Sequence, residues 1–491
     1  MPAKRALSAA LALLLIAAIP ARAASVPTIT VIDINPGSGS SRAMDNSYPV
    51  VFGDYLYFTA DDGTHGRELW RTNGTTTTMV KDINTNGANE SYPQNFFAFG
   101  DYLYFSANDG TSGYELWRTD GTASGTTLFK SINETGTGES GSYPCYFTAL
   151  GEFLYFNADD GTNGQELWRT DGTDAGTTLV KDIRSGASGS SPSYFTALNG
   201  ALYFSANDGE YGVELWRTDG TALGTTLVKD INDEGYSYPS RFTEIGGYLF
   251  FKADSNTQAN QLWRTDGTEE GTTLIADVLN PDDFTAAGSY LYFSADTEAD
   301  GYELWRTDGT EAGTELFLDI NDGADDSYPY DFTSIGETLY FHANDGTHGN
   351  ELWAMSGSLT VLAYDMIGGA SDADPHDFTA FGDWLYFAAE TGNESGDELW
   401  RSNVAVTERV PFPLVGQFLS DEEYGVDLVV AGDRLYMSAL STLIGYEFAY
   451  LDNSLPPTNR DGSLWTVTLV ILAGLTAAAS IALRVRGAKR A

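Results

Sequence analysis

An apolar triplet of the form Leu-Tyr-Phe recurs nine times, beginning at Leu56, Leu103, Leu154, Leu202, Leu249, Leu291, Leu339, Leu385 and Leu435. Successive copies lie 42 to 51 residues apart. Each is followed by Glu-Leu-Trp, with Trp at 70, 117, 168, 216, 305, 353 and 400. Trp263 is preceded by Gln261 and Leu262 instead, and the ninth copy decays to Glu447-Phe448-Ala449. Self-similarity at this period means that one supersecondary unit is stacked many times. Length alone would have suggested about three domains for 491 residues; the repeat replaces that expectation with one array.

The unit from Tyr143 to Ile183 divides into four short extended runs, 146–150, 153–158, 165–170 and 178–183. Gly151-Glu152, Asp160-Gly161-Thr162-Asn163-Gly164 and Asp171-Gly172-Thr173 separate them, and Asp-Gly between such runs signals a hairpin. No 3.6-residue apolar period appears, so helices are not expected in the repeat. Leu154-Tyr155-Phe156 and the residues around Leu167-Trp168 are apolar on both faces. A sheet wetted on one side would alternate; a sheet packed between two others would not. These features predict an all-β chain, a single β-propeller of about nine four-stranded blades, with blades the size of those in WD40 and kelch repeats. The ninth unit lacks a fourth strand, and Thr30 to Ile34 matches the fourth-strand pattern of Leu179 to Ile183. The N-terminal strand is therefore expected to close the ring and remove an open edge. Nine blades exceed the usual number of about 4–8, so an open or divided array is the alternative.

The repeated Glu115-Leu116-Trp117-Arg118-Thr119-Asp120-Gly121-Thr122, found again at 166–173, 214–221 and 303–310, resembles the ELWxxDGT repeat of secreted bacterial proteins. The resemblance covers nearly all of the chain between its two ends. The copies at 351 and 398 depart after Trp, which puts the following turn in question there. The resemblance implies a secreted or surface location and brings no catalytic residues.

Both ends read as addressing segments. Lys4 and Arg5 precede an apolar run to Ile19, and Ala21-Arg22-Ala23 is a small-x-small cleavage pattern, so 1–23 is expected to be a signal peptide. The propeller is assigned to 24–452. Leu464 to Leu483 carries no charge and is long enough for a transmembrane helix. The basic tail 484–491 after it would stay in the cytoplasm. In the linker 453–463, Leu455, Pro456, Pro457 and Thr458 resemble the LPxTG sorting signal of sortase substrates, with Asn459 in place of Gly. The expected location is the cell surface, anchored by the helix or by sortase-like processing.

Acidity decides partner classes. Seven of the 26 basic residues lie in the end segments, leaving 19 against 69 acids in the exported region. That balance argues against a nucleic-acid partner. One Cys excludes an internal disulfide framework. Strand order predicts that the loop between second and third strands shares a face with the inter-blade link. That face would carry Asp61, Asp62, Asp109, Asp159, Asp160, Asp208 and Asp345, candidate calcium ligands because hard cations take carboxylate oxygens. The competing reading is that each Asp caps its own turn, as in the structural Asp-box hairpins of sialidase-type propellers, which these loops resemble. The same face carries Tyr48, Tyr92, Tyr143, Tyr238 and Tyr328, candidate carbohydrate-stacking residues; otherwise Tyr-Pro merely opens a strand. His65 and His348 share a loop position held elsewhere by Ser112, Asn163 and Tyr211, which makes them poor catalytic candidates, and Cys145 reads as a strand substitution.

No catalytic set is visible. The expected function is a non-enzymatic cell-surface propeller binding an extracellular macromolecule or glycan, in adhesion or envelope organisation. The alternatives are an extracellular propeller enzyme acting on carbohydrate, a glycosidase or lyase, and a calcium-stiffened structural spacer.

Overall fold

The computed structural model describes residues 29–452 except 37–38, 45–47, 87–88, 139, 277, 298, 393–396, 412–415, 418–427 and 442–444. The expected signal peptide, the linker with Leu455 to Thr458, the span 464–483 and the basic tail lie outside the described residues. Among the described residues, no helix is long and apolar enough to cross a membrane.

The chain forms nine sheets in a closed ring. Blade 3 shows the pattern: Cys145–Leu150, Phe153–Asp159, Gln165–Thr170 and Thr178–Lys181, paired antiparallel in that order. Blades 1, 2, 4, 5, 6, 7 and 8 span 50–81, 94–130, 193–229, 240–276, 279–318, 330–364 and 376–409. In blade 9 the first strand is split into Gly416–Gln417 and Val429–Ala431, both paired with Arg434–Ser441, which pairs with Gly445–Asp452. Ile29–Ile32 then pairs antiparallel with that last strand, Ile29 opposite Leu451 and Ile32 opposite Phe448. The N-terminal strand thus completes the ninth blade, and the open array is set aside. The departing copies at 351 and 398 still make their turns: blade 7 joins Ser356 directly to Leu359 across two residues, and blade 8 pairs Ser402 with Thr407.

The core is nine inter-blade layers, one at each junction, including the layer from Tyr436 and Phe448 to Leu56 and Phe58 that seals blade 9 against blade 1. Leu154, Tyr155 and Phe156 are all buried, as two-faced packing requires.

Each letter of the repeat has a task. Except in blade 8, where Glu398 is half-buried and pairs with Arg409, the Glu is fully buried and reaches across to the link that leads into the next blade. Glu166 accepts from Ile183 N at 3.0 Å, Arg184 N at 3.0 Å and Ser190 Oγ at 2.5 Å. Glu68, Glu115, Glu214 and Glu303 do the same with Ser91, Ser142, Ser237 and Ser327. Ring closure reuses the device, with Ile34 N donating to Glu447 at 2.9 Å. In blades 2 to 5 the Arg donates to the next blade, and in blade 3 it also lies on an aromatic ring of its own blade. Arg169 sits 4.2 Å from the Phe153 centroid and donates to Gly220 O at 2.7 Å. Gly220 has φ +92, and a Cβ there would collide with the Tyr155 hydroxyl, so only glycine fits. The Asp of the following turn caps it: Asp171 accepts from Thr173 N and Thr173 Oγ1 at 2.9 and 2.6 Å.

Blade 5 departs from the pattern in another way. Its link to blade 6 is shortened, with Leu279 where the links into blades 1, 2, 3, 4, 5 and 7 carry the anchoring serine. Gln261 stands in the glutamate's place, accepting from Ser255 Oγ at 2.6 Å.

Burial pushes Glu68, Glu214, Glu303, Glu351 and Glu447 up to about 7, against the pull of their donors. A carboxyl raised above its unfolded value near 4.5 stabilises the fold when protonated and loses that contribution as pH rises through 7. The melting temperature is therefore expected to rise by several degrees from pH 8 to pH 5.5. Self-repulsion in this acidic chain has the same sign but is screened by salt. Differential scanning calorimetry in 0.5 M NaCl separates the two; if the gain vanishes in salt, the buried glutamates are not its source.

Candidate functional site at the axial mouth

First strands of consecutive blades touch one another from blade 1 round to blade 9, so they line the axis. They are stitched by threonine hydroxyls: Thr285 Oγ1 donates to Phe332 O at 3.3 Å and Thr333 Oγ1 to Phe378 O at 3.2 Å. Each first strand from blade 2 to blade 8 begins with a bulge. The bulge places one residue in the left-handed region, in order Asn95, Tyr146, Tyr194, Arg241, Asp283, Asp331 and Asp377, with φ between 54 and 59°. A bulge re-aims a side chain out of the ladder, and here it does so once per blade on the strands that line the axis. Tyr146 and Tyr194 are 47% and 49% exposed, with ring centroids 6.0 Å apart. Asn95 Nδ2 donates to Pro144 O of the next blade at 3.4 Å. Asp283 accepts from Phe332 N of the next blade at 3.0 Å.

The ring of bulge residues is chemically lopsided. Blades 3 and 4 give an aromatic arc. Blade 5 gives Arg241, whose Nε lies 3.1 Å from Asp282 Oδ1. Blades 6, 7 and 8 give Asp283, Asp331 and Asp377 in succession. Burial, then Asp331 and Asp282, push Asp283 up to about 6. Behind the acids lie two histidines. His342 donates from Nδ1 to Pro375 O at 2.7 Å and lies 3.9 Å from Asp331; burial keeps its pKa low. His376 Nε2 is 3.6 Å from both Asp377 and Asp397. Tyr330 packs edge-on against His342 at 6.0 Å and stacks on Tyr302 at 5.8 Å.

The candidate residues read from the sequence lie elsewhere. Asp62, Asp109, Asp160, Asp208 and Asp345 each accept two backbone N–H groups of their own turn, as Asp160 does from Thr162 and Asn163 at 2.8 Å. Asp61 and Asp159 each accept from a glycine two residues on, Gly63 and Gly161, at 2.7 Å. Burial alone would raise Asp62 and Asp345; bonds from His65, His348 and the turn amides outweigh it and hold both low. Among the described residues, no three His, Cys, Asp or Glu side chains come together as a metal-holding group.

Tyr92, Tyr143, Tyr238 and Tyr328 sit on separate links, each with φ of 44–47°, and each packs locally. Tyr143 stacks on Tyr114 at 5.2 Å, Tyr328 on Tyr302 at 5.4 Å and Tyr238 meets Tyr236 at 5.5 Å, while Arg67 lies 4.6 Å over Tyr92. Tyr48 is not their equivalent. In blade 1 the anchor is Ser41, fully buried, with its carbonyl accepting from Asp61 N at 2.7 Å as Ser142 accepts from Asp159 N at 2.9 Å. Tyr48, beyond the anchor, is 83% exposed. Burial raises the Cys145 thiol to about 11, in keeping with a strand residue.

The bulge residues have a faint sequence trace. They fill the variable place in Pro-x-X-Phe, as in Pro144-Cys145-Tyr146-Phe147 and Pro281-Asp282-Asp283-Phe284. Read as plain strand they would alternate with Phe; only the bulge sends them to the axis.

No protein-family model matches the chain. No curated protein matches it. Solved structures with a similar fold include one from a study of two prolyl endopeptidases, at 13% identity and TM-score 0.40, covering 71% of this chain and 54% of the other. A puromycin hydrolase is similar at 12% identity, both alone, with TM-score 0.36 and 59% of its chain covered, and as a mutant complexed with PGG, with TM-score 0.37 and 58% covered. This chain therefore spans little more than half of those proteins. The expectation of a non-enzymatic surface propeller for adhesion or glycan binding is corrected here: these three similar structures are of prolyl endopeptidases and a puromycin hydrolase. At such identity the likeness concerns the fold alone and transfers no activity.

Proposed function

We propose that the ring handles peptide, admitting an extended, basic segment at its axial mouth. The observation that carries this reading is the lopsided ring of bulge residues. The bulge folds equally with Asn, Tyr, Arg or Asp at that position, so the fold does not dictate which residue stands there. What varies freely is the chemistry shown to a ligand. An arc of Asp283, Asp331 and Asp377 attracts Lys and Arg side chains, and Tyr146 and Tyr194 offer faces to the rest of the chain. The signal peptide expected at 1–23 would place this mouth outside the cytoplasm.

Fluorescence polarisation with labelled peptides of equal length tests the reading in 0.15 M salt. A Lys/Arg-rich peptide should bind at least about tenfold more tightly than a Glu-rich one. Asp283→Asn, Asp331→Asn and Asp377→Asn together should abolish the preference while altering only three of 69 acids. Because Asp283 sits near 6, the preference should weaken as pH falls through 6. Equal binding of both peptides, or an unchanged preference in the triple variant, would overturn it.

A further inference from the structure

Between the axial ring and the link into blade 4 lies a pocket of about 310 Å³, lined among others by Arg184, Ser191, Ser193, Tyr194, Ser205 and Tyr238. Two departures from the repeat create it. Ser191 stands where the links into blades 2, 3, 5 and 7 carry Tyr92, Tyr143, Tyr238 and Tyr328. It keeps the same left-handed backbone, with φ 48° against 44–47° for the tyrosines, so the ring is missing while the backbone is unchanged. Arg184 stands where other links carry Asn84, Asn133, Asn232 and Asn321. Those asparagines tie their links with a side-chain bond to Glu90 O, Gly141 O, Tyr236 O and Asp326 O. Arg184 makes no such bond. Its amide binds Glu166, but among the described residues its guanidinium has neither a hydrogen-bond nor an ion-pair partner.

An unpaired guanidinium is out of place in a chain with 69 acids and 26 bases. The repeat offers a self-satisfied alternative at both positions, and this one link has abandoned it for an opening with a cation, serine hydroxyls and two tyrosine rings. The volume is at the small end of ligand sites, which run from about 300 to 1,000 Å³. One guanidinium without an ion-pair partner suits one negative charge, and it takes a carboxylate through paired N–H donors.

We infer that this pocket binds a small carboxylate-bearing ligand, its carboxylate on Arg184 and its apolar body against Tyr194 and Tyr238. Tyr194 also belongs to the axial ring, so the pocket opens beside the proposed peptide mouth; the inference does not depend on that reading.

Isothermal titration of the purified protein with N-acetylphenylalanine and with its amide tests it. The acid should bind at least about tenfold more tightly than the amide. Arg184→Asn, which restores the residue of five other links, Asn35 among them, should remove the difference. Ser191→Tyr, which restores the missing ring, should remove binding of both, with the melting temperature confirming the fold. The triple Asp→Asn variant of the axial ring should keep the preference for the acid, which separates failure of the peptide reading from failure of this one. Equal binding of acid and amide, no binding of the acid at millimolar concentration, or a preference retained in Arg184→Asn would overturn the assignment.

Discussion

Glu115→Ala is expected to lower the unfolding free energy by about 3–5 kcal/mol, the cost of leaving buried partners of a carboxylate unpaired. Glu115 is fully buried. It accepts from Ile132 N at 2.8 Å, Asn133 N at 3.3 Å and Ser142 Oγ at 2.6 Å. Alanine strands all three donors in a site closed to water and frees the link between blades 2 and 3. Glu115→Gln should cost less, because its amide oxygen still serves one set of donors while its NH₂ faces the other. Gln261→Glu gives the converse: it adds a charge where the shortened link brings no serine, and should also destabilise. Guanidinium denaturation of the three variants checks the order. A loss below about 1 kcal/mol for Glu115→Ala would show that the blades hold their links by apolar packing alone.

Deleting residues 29–34 is expected to have a comparable or larger effect and to change the oligomeric state. The strand Ile29–Ile32 covers the edge of Gly445–Asp452 through four residue pairs. Ile29 and Ile34 are buried, and Ile34 N satisfies Glu447. Burying two isoleucines contributes roughly 1.5–3 kcal/mol each, and the lost ladder adds to this. The uncovered strand is a template for pairing with another chain. The melting temperature should drop by more than about 5 °C, and light scattering should show association that wild type does not. A monomer with unchanged melting temperature would mean that the ring closes by the Phe58–Phe448 contact, 4.6 Å between centroids, without the strand.

Much of this architecture is written locally. The Leu-Tyr-Phe runs are apolar on both faces, and only sheets stacked in series bury both. Asp160-Gly161 and Asp171-Gly172 specify turns through their own side-chain and φ chemistry. The fourth-strand likeness of Thr30 to Ile34 foretold closure. The candidate site was less legible. For Asp62 and Asp160 the sequence leaves calcium ligation and turn capping both open, and their carboxylates cap the turns that hold them. Tyr48 shares the Ser-Tyr-Pro setting of Tyr92 and Tyr143, while the structural anchor in blade 1 is Ser41, seven residues before it. The partners of buried Glu68 and Glu166 lie 15 to 24 residues away, beyond any local pattern.

By itself, the sequence determined the number of blades, their strands and the strand that joins the two ends, because burial period and turn chemistry act over a few residues. Tertiary structure alone decided what the ring presents. A bulge that changes register turns Tyr146, Arg241 and Asp283 from strand positions into axial ones. Packing of one blade on the next leaves Arg184 unpaired beside the space that Ser191 fails to fill. Both outcomes depend on which residues meet across a blade junction, and that meeting exists only once the ring has closed.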